Sequence, residues 1–212
     1  MIIEILELGP FLANCYILGC EKTKEAVVID PGDEANKILM TINKNKLKVK
    51  YILNTHSHLD HVSGNKNLKE LTSAPIMIHE MDADGLQRLS TFGSLFGITV
   101  ENSPSPDQYL NDGDIIKFGD IDLKVIHTPG HSSGGVSFYA EKDKKIFVGD
   151  TLFNFSIGRT DLPGGSYETL IESVVKKIFP LGDDVEVYPG HGPATTIGYE
   201  KKHNPFFHGI WS

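Results

Sequence analysis

Apolar and polar positions along this chain group into short runs, and almost every run ends at a turn. Residues 2–8, Cys15 to Leu18 and Ala26 to Asp30 read as strands, the last of them closing on Pro31-Gly32. The spacing of Ala35, Ile38, Leu39 and Ile42 then predicts a helix from Asp33 to about Lys44, with Asp33 near its N-cap. Val49 to Leu53 reads as a buried strand. A short helix is expected from about Gly64 to Leu71, its N-terminus toward the histidines that follow that strand, and Pro75 to His79 is a further short strand.

Residues 82–113 hold a regular period less well. Leu86, Leu89, Phe92, Leu95, Phe96 and Ile98 are apolar, but Gly, Ser and Pro interrupt them. The stretch reads as a long excursion, either a lip over a site or a subunit contact, or else an irregular packed connection. The second half then repeats the logic of the first. Ile121, Leu123 and Val125 alternate with Asp122 and Lys124 up to a break at Thr128-Pro129-Gly130. Val136–Tyr139 and Lys145–Val148 form a predicted hairpin around Glu141 to Lys144. A helix is expected from Ser166 to Phe179, capped by Ser166 and stopped by Pro180, and Val185–Tyr188 is the last strand. No linker divides the chain, and the two halves suggest two sheets facing each other with helices outside.

With 40% apolar residues the chain builds a core without staples. Its net charge of −8 and its two arginines, Arg88 and Arg159, argue against nucleic acid as a partner, because phosphate binding needs clustered cations. Cys15 and Cys20 are too few for a disulfide scaffold or a thiolate zinc module, and are expected to be reduced and structural. The acidic start, Met1 to Glu7, lacks the cationic opening of a secretory leader, and no apolar stretch approaches a membrane span. A soluble protein of the cytoplasm, without a membrane partner, is the expectation.

The chemistry concentrates at the ends of strands. His56-Ser57-His58-Leu59-Asp60-His61 packs four metal-competent side chains into six positions, and His131, Asp150 and His191 each follow an apolar strand farther on. His56 and His58, two apart on an extended segment, project to one side, while Asp60 and His61 on the following turn aim at a neighbouring point. Packed together without a cation or water, such side chains would repel and desolvate one another. Seven donors of this kind suit two divalent metal ions and point to hydrolytic or redox chemistry. Zinc takes imidazole and carboxylate and leaves a position open for water in catalytic sites; iron and manganese accept the same donors. His79, His127, His203 and His208 read instead as ordinary satisfied polar residues, His127 by packing or by a hydrogen bond behind His131.

Thr55-His56-Ser57-His58-Leu59-Asp60-His61, then Thr128-Pro129-Gly130-His131, Gly149-Asp150 and Pro189-Gly190-His191, in this order, resemble the metallo-β-lactamase superfamily over nearly the whole chain. Within it the chain resembles the glyoxalase II-like (hydroxyacylglutathione hydrolase-like) proteins. Gly158-Arg159-Thr160-Asp161 followed by Gly164-Gly165-Ser166 is similar to their short, single-domain members. The resemblance implies one domain over residues 1–212 of the α+β class, a four-layer αββα sandwich of two mixed β-sheets flanked by helices. It implies a first metal held by His56, His58 and His131, a second held by Asp60, His61 and His191, and Asp150 bridging the two. Asp60 and Asp150 would then be the carboxylates on which catalysis rests.

A water between two such ions should ionise near neutral pH, since a single zinc brings a bound water to about pKa 7. The resulting hydroxide is the expected nucleophile toward the thioester or ester carbonyl of a small acyl-thiol substrate. The absence of a Gly-x-Ser-x-Gly elbow agrees with that. Full-length glyoxalase II enzymes carry a helical C-terminal extension for glutathione, whereas 21 residues follow His191 here (212 − 191), among them Asn204-Pro205-Phe206-Phe207 and Trp211. The thiol carrier therefore stays open, as does the oligomeric state. Arg159 either grips a substrate carboxylate or pairs with Asp161. The rival is a persulfide dioxygenase, which shares the fold and the Gly-Arg-Thr-Asp stretch but uses one iron, here on His56, His131 and Asp150. A non-catalytic metal-binding module is the remaining alternative.

Overall fold

In the computed structural model, which describes residues 1–95 and 97–209, the chain divides into two compact units. Unit 1 takes residues 1–110 and 117–122; unit 2 takes 111–116 and 123 onward. Phe96 and Trp211 lie outside the described residues.

Unit 1 opens with three antiparallel strands, β1 (Ile2–Leu8), β2 (Ala13–Gly19) and β3 (Glu25–Ile29). Helix α1 (Ala35–Lys44) crosses to β4 (Lys48–Leu53), which runs parallel to β3. Helices α2 (Leu59–Val62) and α3 (Asn65–Thr72) lead to β5 (Ile76–His79), parallel to β4. Then α4 (Glu80–Ala83), a 3-10 turn (Asp84–Arg88) and α5 (Leu89–Leu95) lead to β6 (Gln108–Leu110), parallel to β5. The result is a mixed sheet in simple sequence order. β2 is buried along its whole length and β3 from its second residue on, as expected of near-continuous apolar runs covered on both faces. Ile38 and Ile42 of α1 and Leu68 of α3 pack in one cluster with Ile17, Val28, Ile52 and Ile76. Each such side chain contributes roughly 1.5–3 kcal/mol on burial.

Two expectations are corrected here. Helix α1 starts after Glu34, which takes a left-handed φ of 47°, and Asp33 accepts the Glu34 N–H at 2.6 Å instead of capping the helix. The stretch after residue 80 is more helical than its broken period suggested, because Leu86 and Leu89 are drawn fully into the unit 1 core and fold the chain into successive short turns.

The second sheet is also mixed, in the order β14-β13-β10-β9-β8-β7. Its strands are β7 (Ile115–Phe118), β8 (Ile121–His127), β9 (Val136–Ala140), β10 (Lys145–Gly149), β13 (Glu186–Pro189) and β14 (Thr195–Thr196). β8, β9 and β10 pair antiparallel, and β10 pairs parallel with β13. A small ribbon of β11 (Leu152–Phe153) and β12 (Ser156–Ile157) follows β10. Helix α6 (Tyr167–Ser173) begins on the expected cap, Ser166 Oγ accepting from Thr169 N at 3.3 Å, and continues through a π-turn to Ile178. Helix α7 (Ile197–His203) ends the regular structure, and α6, its π-turn and Ile197 cover Ile126, Ile146, Val148 and Val187. Among the described residues no helix is long and apolar enough to cross a membrane.

Helix α6 also clamps the loop after β8. Ser166 N donates to Gly130 O (2.8 Å), Ser173 Oγ to Pro129 O (2.7 Å) and Lys177 Nζ to His127 O (2.6 Å). Gly130 makes that approach possible: its φ is +132°, and a Cβ there would stand 2.3 Å from Leu170 N and 2.4 Å from Leu170 Cα. Gly113, at φ +88°, has open space instead. Gly113→Ala should therefore cost only the left-handed strain, roughly 1–2 kcal/mol. Gly130→Ala adds a backbone collision and should cost several times more in chemical denaturation; equal losses would refute the clamp.

Candidate metal-binding residues

In unit 1 the donor cluster is laid down where β4 runs out. The chain stays extended through His58 (φ −65°, ψ 146°), then turns into the single-turn helix α2, which carries Asp60 and His61. The rings close on one another: His56 and His58 lie 4.7 Å apart between centroids, His56 and His61 4.2 Å. His61 Nε2 stands 3.6 Å from Asp60 Oδ2. His56 and His61 are almost completely buried, whereas the Asp60 side chain keeps 20% exposure.

What orients these rings is Asp30, a buried carboxylate at the end of β3 that the sequence reading passed over. Its Oδ1 accepts from Thr55 N (2.7 Å), and its Oδ2 accepts from Thr55 Oγ1 (2.6 Å) and from His61 Nδ1 (3.0 Å). Thr55 has one hydroxyl hydrogen and gives it to Asp30, so at 2.9 Å its oxygen accepts the hydrogen of His56 Nδ1. Both imidazoles thus carry their proton on Nδ1 and offer the Nε2 lone pair, the arrangement by which a partner behind a metal-binding histidine fixes its tautomer. Asp30, His56 and His61 could offer three ligand atoms to an ion, but the hydrogen bonds assign Asp30 to the far edge of the rings. The signal was present: a carboxylate directly after an apolar strand, as at Asp150.

The other staples around the cluster are polar and buried. Asn54 and Asn65 exchange amide hydrogen bonds at 3.2 and 2.9 Å, tying the end of β4 to the start of α3. Gly32 passes so close to α2 that a Cβ would sit 1.8 Å from the Asp60 carbonyl oxygen.

Unit 2 brings together His131, Asp150 and His191, each just past the end of a strand as expected. Asp150 Oδ2 faces both rings, 3.5 Å from His131 Nε2 and 3.7 Å from His191 Nε2. His131 Nδ1 donates to the Arg159 carbonyl at 2.8 Å, again leaving Nε2 as the lone-pair atom. The Gly-Arg-Thr-Asp stretch thereby gains a structural meaning. Gly158 allows the backbone to approach, since a Cβ would lie 1.8 Å from Asp150 O and 3.0 Å from His131 Nδ1. The Arg159 side chain turns to Asp161 in a bidentate pair, both contacts 2.8 Å, and holds that carboxyl down to about 2. His127 Nε2 bonds Ser133 O at 3.0 Å within the loop that carries His131. His79 Nδ1 accepts from Met81 N, and His203 Nδ1 meets Tyr199 O. The two cysteines are free and buried.

The donor set fits a metal. Two atoms bound to one zinc at about 2.0–2.2 Å and tetrahedral angles stand about 3.3–3.6 Å apart. The Nε2–Oδ2 separations of 3.5, 3.6 and 3.7 Å sit at or near that value, too long for hydrogen bonds between them. In the metal-free protein at mildly alkaline pH, 15N NMR should show His56, His61 and His131 protonated on Nδ1. Asp30→Asn should scramble His61, leave His131 unchanged and lower the denaturation midpoint; an unchanged His61 would remove Asp30 from this role.

Comparison with known proteins bears on the fold and the family. The sequence profile of the metallo-beta-lactamase superfamily matches residues 8–191. The hydroxyacylglutathione hydrolase GloC of Haemophilus influenzae is 39% identical, over 97% of this chain and 98% of its own length. Among solved structures, BLEG-1, a B3 metallo-beta-lactamase, superposes with a TM-score of 0.92 at 38% identity, covering 98% of this chain and 100% of that one. TTHA1623 in a di-iron-bound form superposes at 0.88 with 36% identity, covering 96% and 99%. ETHE1 of Myxococcus xanthus does so at 0.81 with 28% identity, covering 100% and 90%. Two mixed sheets with flanking helices, in the α+β class expected, agree with that match: the chain belongs to the metallo-beta-lactamase superfamily.

Proposed function

We propose that this protein is a metal-dependent thioester hydrolase, glyoxalase II-like in its chemistry, acting on a small hydroxyacyl-thiol. The observation that carries the reading is that each unit holds imidazole and carboxylate atoms at metal-sharing distances, with His61 and His131 already hydrogen-bonded at their far edges. In this reading His56, His58 and His131 would hold one divalent ion and Asp60, His61 and His191 a second, with Asp150 shared between them. Zinc is the first choice, with iron or manganese suited to the same donors; the di-iron form of TTHA1623 keeps iron in view. When bound, such a pair lowers the pKa of water toward about 7 and polarises a carbonyl oxygen.

The protein's own part is to present donors and to leave an approach open. His191 is 29% exposed and Asp60 20% exposed. The thioester carbonyl would approach over these two. GloC bears the name of a hydroxyacylglutathione hydrolase at nearly this chain's length, which supports glutathione as a carrier without a long extension. Net charge −8 supports a small-molecule substrate over nucleic acid, and the cytoplasm is the proposed site of action.

Purified protein should carry two metals per chain and turn over a hydroxyacyl thioester. Asp60→Ala should lose one metal and at least about a hundredfold in turnover, since partners behind a ligand already cost 10–100-fold. The second reading, a persulfide dioxygenase, has the likeness to ETHE1 in its favour. One iron per chain, persulfide-dependent oxygen uptake and an Asp60→Ala variant with unaltered activity would establish it instead.

Arg159 is the proposed grip for a substrate carboxylate, turning from Asp161 to do so. The Asp161 carboxyl is depressed in the fold to about 2, so the pair is complete above the ordinary carboxylate range and is lost only as pH falls through about 2. Arg159→Ala should therefore raise KM about tenfold for a carboxylate-bearing thioester by the same factor at every pH from 5 to 9. An unchanged KM would leave Arg159 only its pairing with Asp161.

A further inference from the structure

We infer that Asp82, with Gly85 beside it, is a positioning device for the His56-Ser57-His58 segment; this rests on the reading that His56 and His58 hold a metal. Asp82 sits in α4 and is only 6% exposed. Its Oδ2 accepts the Ser57 N–H at 3.1 Å. That N–H belongs to the peptide joining His56 to Ser57, one residue before His58. Rotating this peptide plane swings both imidazoles, so a single hydrogen bond sets the aim of two donors. A carboxylate acceptor makes that bond stronger than a neutral one would, and a group buried so deeply costs stability unless its bonds are made.

Gly85 closes the same segment from another direction. A Cβ at Gly85 would lie 2.1 Å from Ser57 Oγ and 2.6 Å from Ser57 Cβ, so the 3-10 turn presses directly on the residue between the two histidines. The turn is itself anchored. Leu86 and Leu89 are fully buried, Ser103 N donates to Leu86 O at 3.0 Å, and Gln87 Nε2 donates to Ser103 O at 2.9 Å. Ser103 Oγ accepts from Asn65 Nδ2 at 3.1 Å, which returns to the Asn54–Asn65 staple at the end of β4. At the near end, Asn54 N donates to Met77 O of β5 at 2.9 Å. The stretch after β5 thus serves as a brace for the His-Ser-His segment, held at both ends by buried polar bonds.

The test is zinc affinity of the full chain, measured by chelator competition, alongside melting of the metal-free protein. Asp82→Ala should weaken zinc binding about 10–100-fold. Asp82→Asn keeps an acceptor oxygen and should stay within a few-fold of wild type, which a general loss of stability would not reproduce. Gly85→Ala should weaken binding by pushing Ser57, and adding Ser57→Gly should restore it by making room. Asp82→Ala binding as tightly as wild type, or Asp82→Asn damaged as badly as Asp82→Ala, overturns the inference. Should Asp82→Ala fail to fold, Gly85→Ala decides: affinity unchanged, or not restored by Ser57→Gly, overturns it. A wild-type chain that takes up no zinc brings down the parent reading too, whereas wild type and Asp82→Ala loading alike brings down this inference alone.

Discussion

The donor geometry in both units depends on hydrogen bonds to the far edge of the imidazoles, seen at His56, His61 and His131. A neutral imidazole has one proton and two nitrogens, so a metal can use it only if something else holds the proton. For His61 that is the Asp30 carboxylate, for His56 the Thr55 hydroxyl that Asp30 itself engages, and for His131 the Arg159 carbonyl. Three different acceptor types achieve the same protonation state. Asp30 stands behind two of these rings, and its place at the end of β3, where Asp30 N donates to Leu53 O, ties the donors of the loop to the sheet.

Close backbone approach is the second constraint, and it recurs in each unit at a carboxylate donor. Gly32 lies against the carbonyl of Asp60 and Gly158 against the carbonyl of Asp150, each so close that a methyl group would overlap the oxygen. Small residues at these points let two loops share the space in which a carboxylate must be aimed. The same economy explains why the Gly-Arg-Thr-Asp stretch binds through its main chain at His131 while its arginine side chain pairs with Asp161.

Membership of the superfamily accounts for the sheets, and proteins named as hydroxyacylglutathione hydrolase, B3 metallo-beta-lactamase and ETHE1 are all similar to this chain. Function resides in sites set on a common scaffold, so the fold by itself does not name the reaction. The partly covered His191 and Asp60, the Arg159–Asp161 pair and the brace around Ser57 are the features of this chain that lie around its candidate donors.

The order of elements and the residues that could bind metal were legible along the chain, because both depend on local pattern. Apolar runs in Val49–Leu53 and Val185–Tyr188 announce strands, and a histidine or aspartate just past such a run stands out against them. Local pattern also found Ser166 as a cap and His127 as a support for the loop after β8. It misjudged residues 82–95, where Leu86 and Leu89 are recruited by a core assembled from distant segments, and it overlooked Asp30 and Asp82, whose partners around the donors lie 25 or more positions away. Sequence determined which side chains are the candidate donors; the tertiary structure decided which nitrogen of His56, His61 and His131 is offered, since hydrogen bonds that depend on segments far apart in the chain set it.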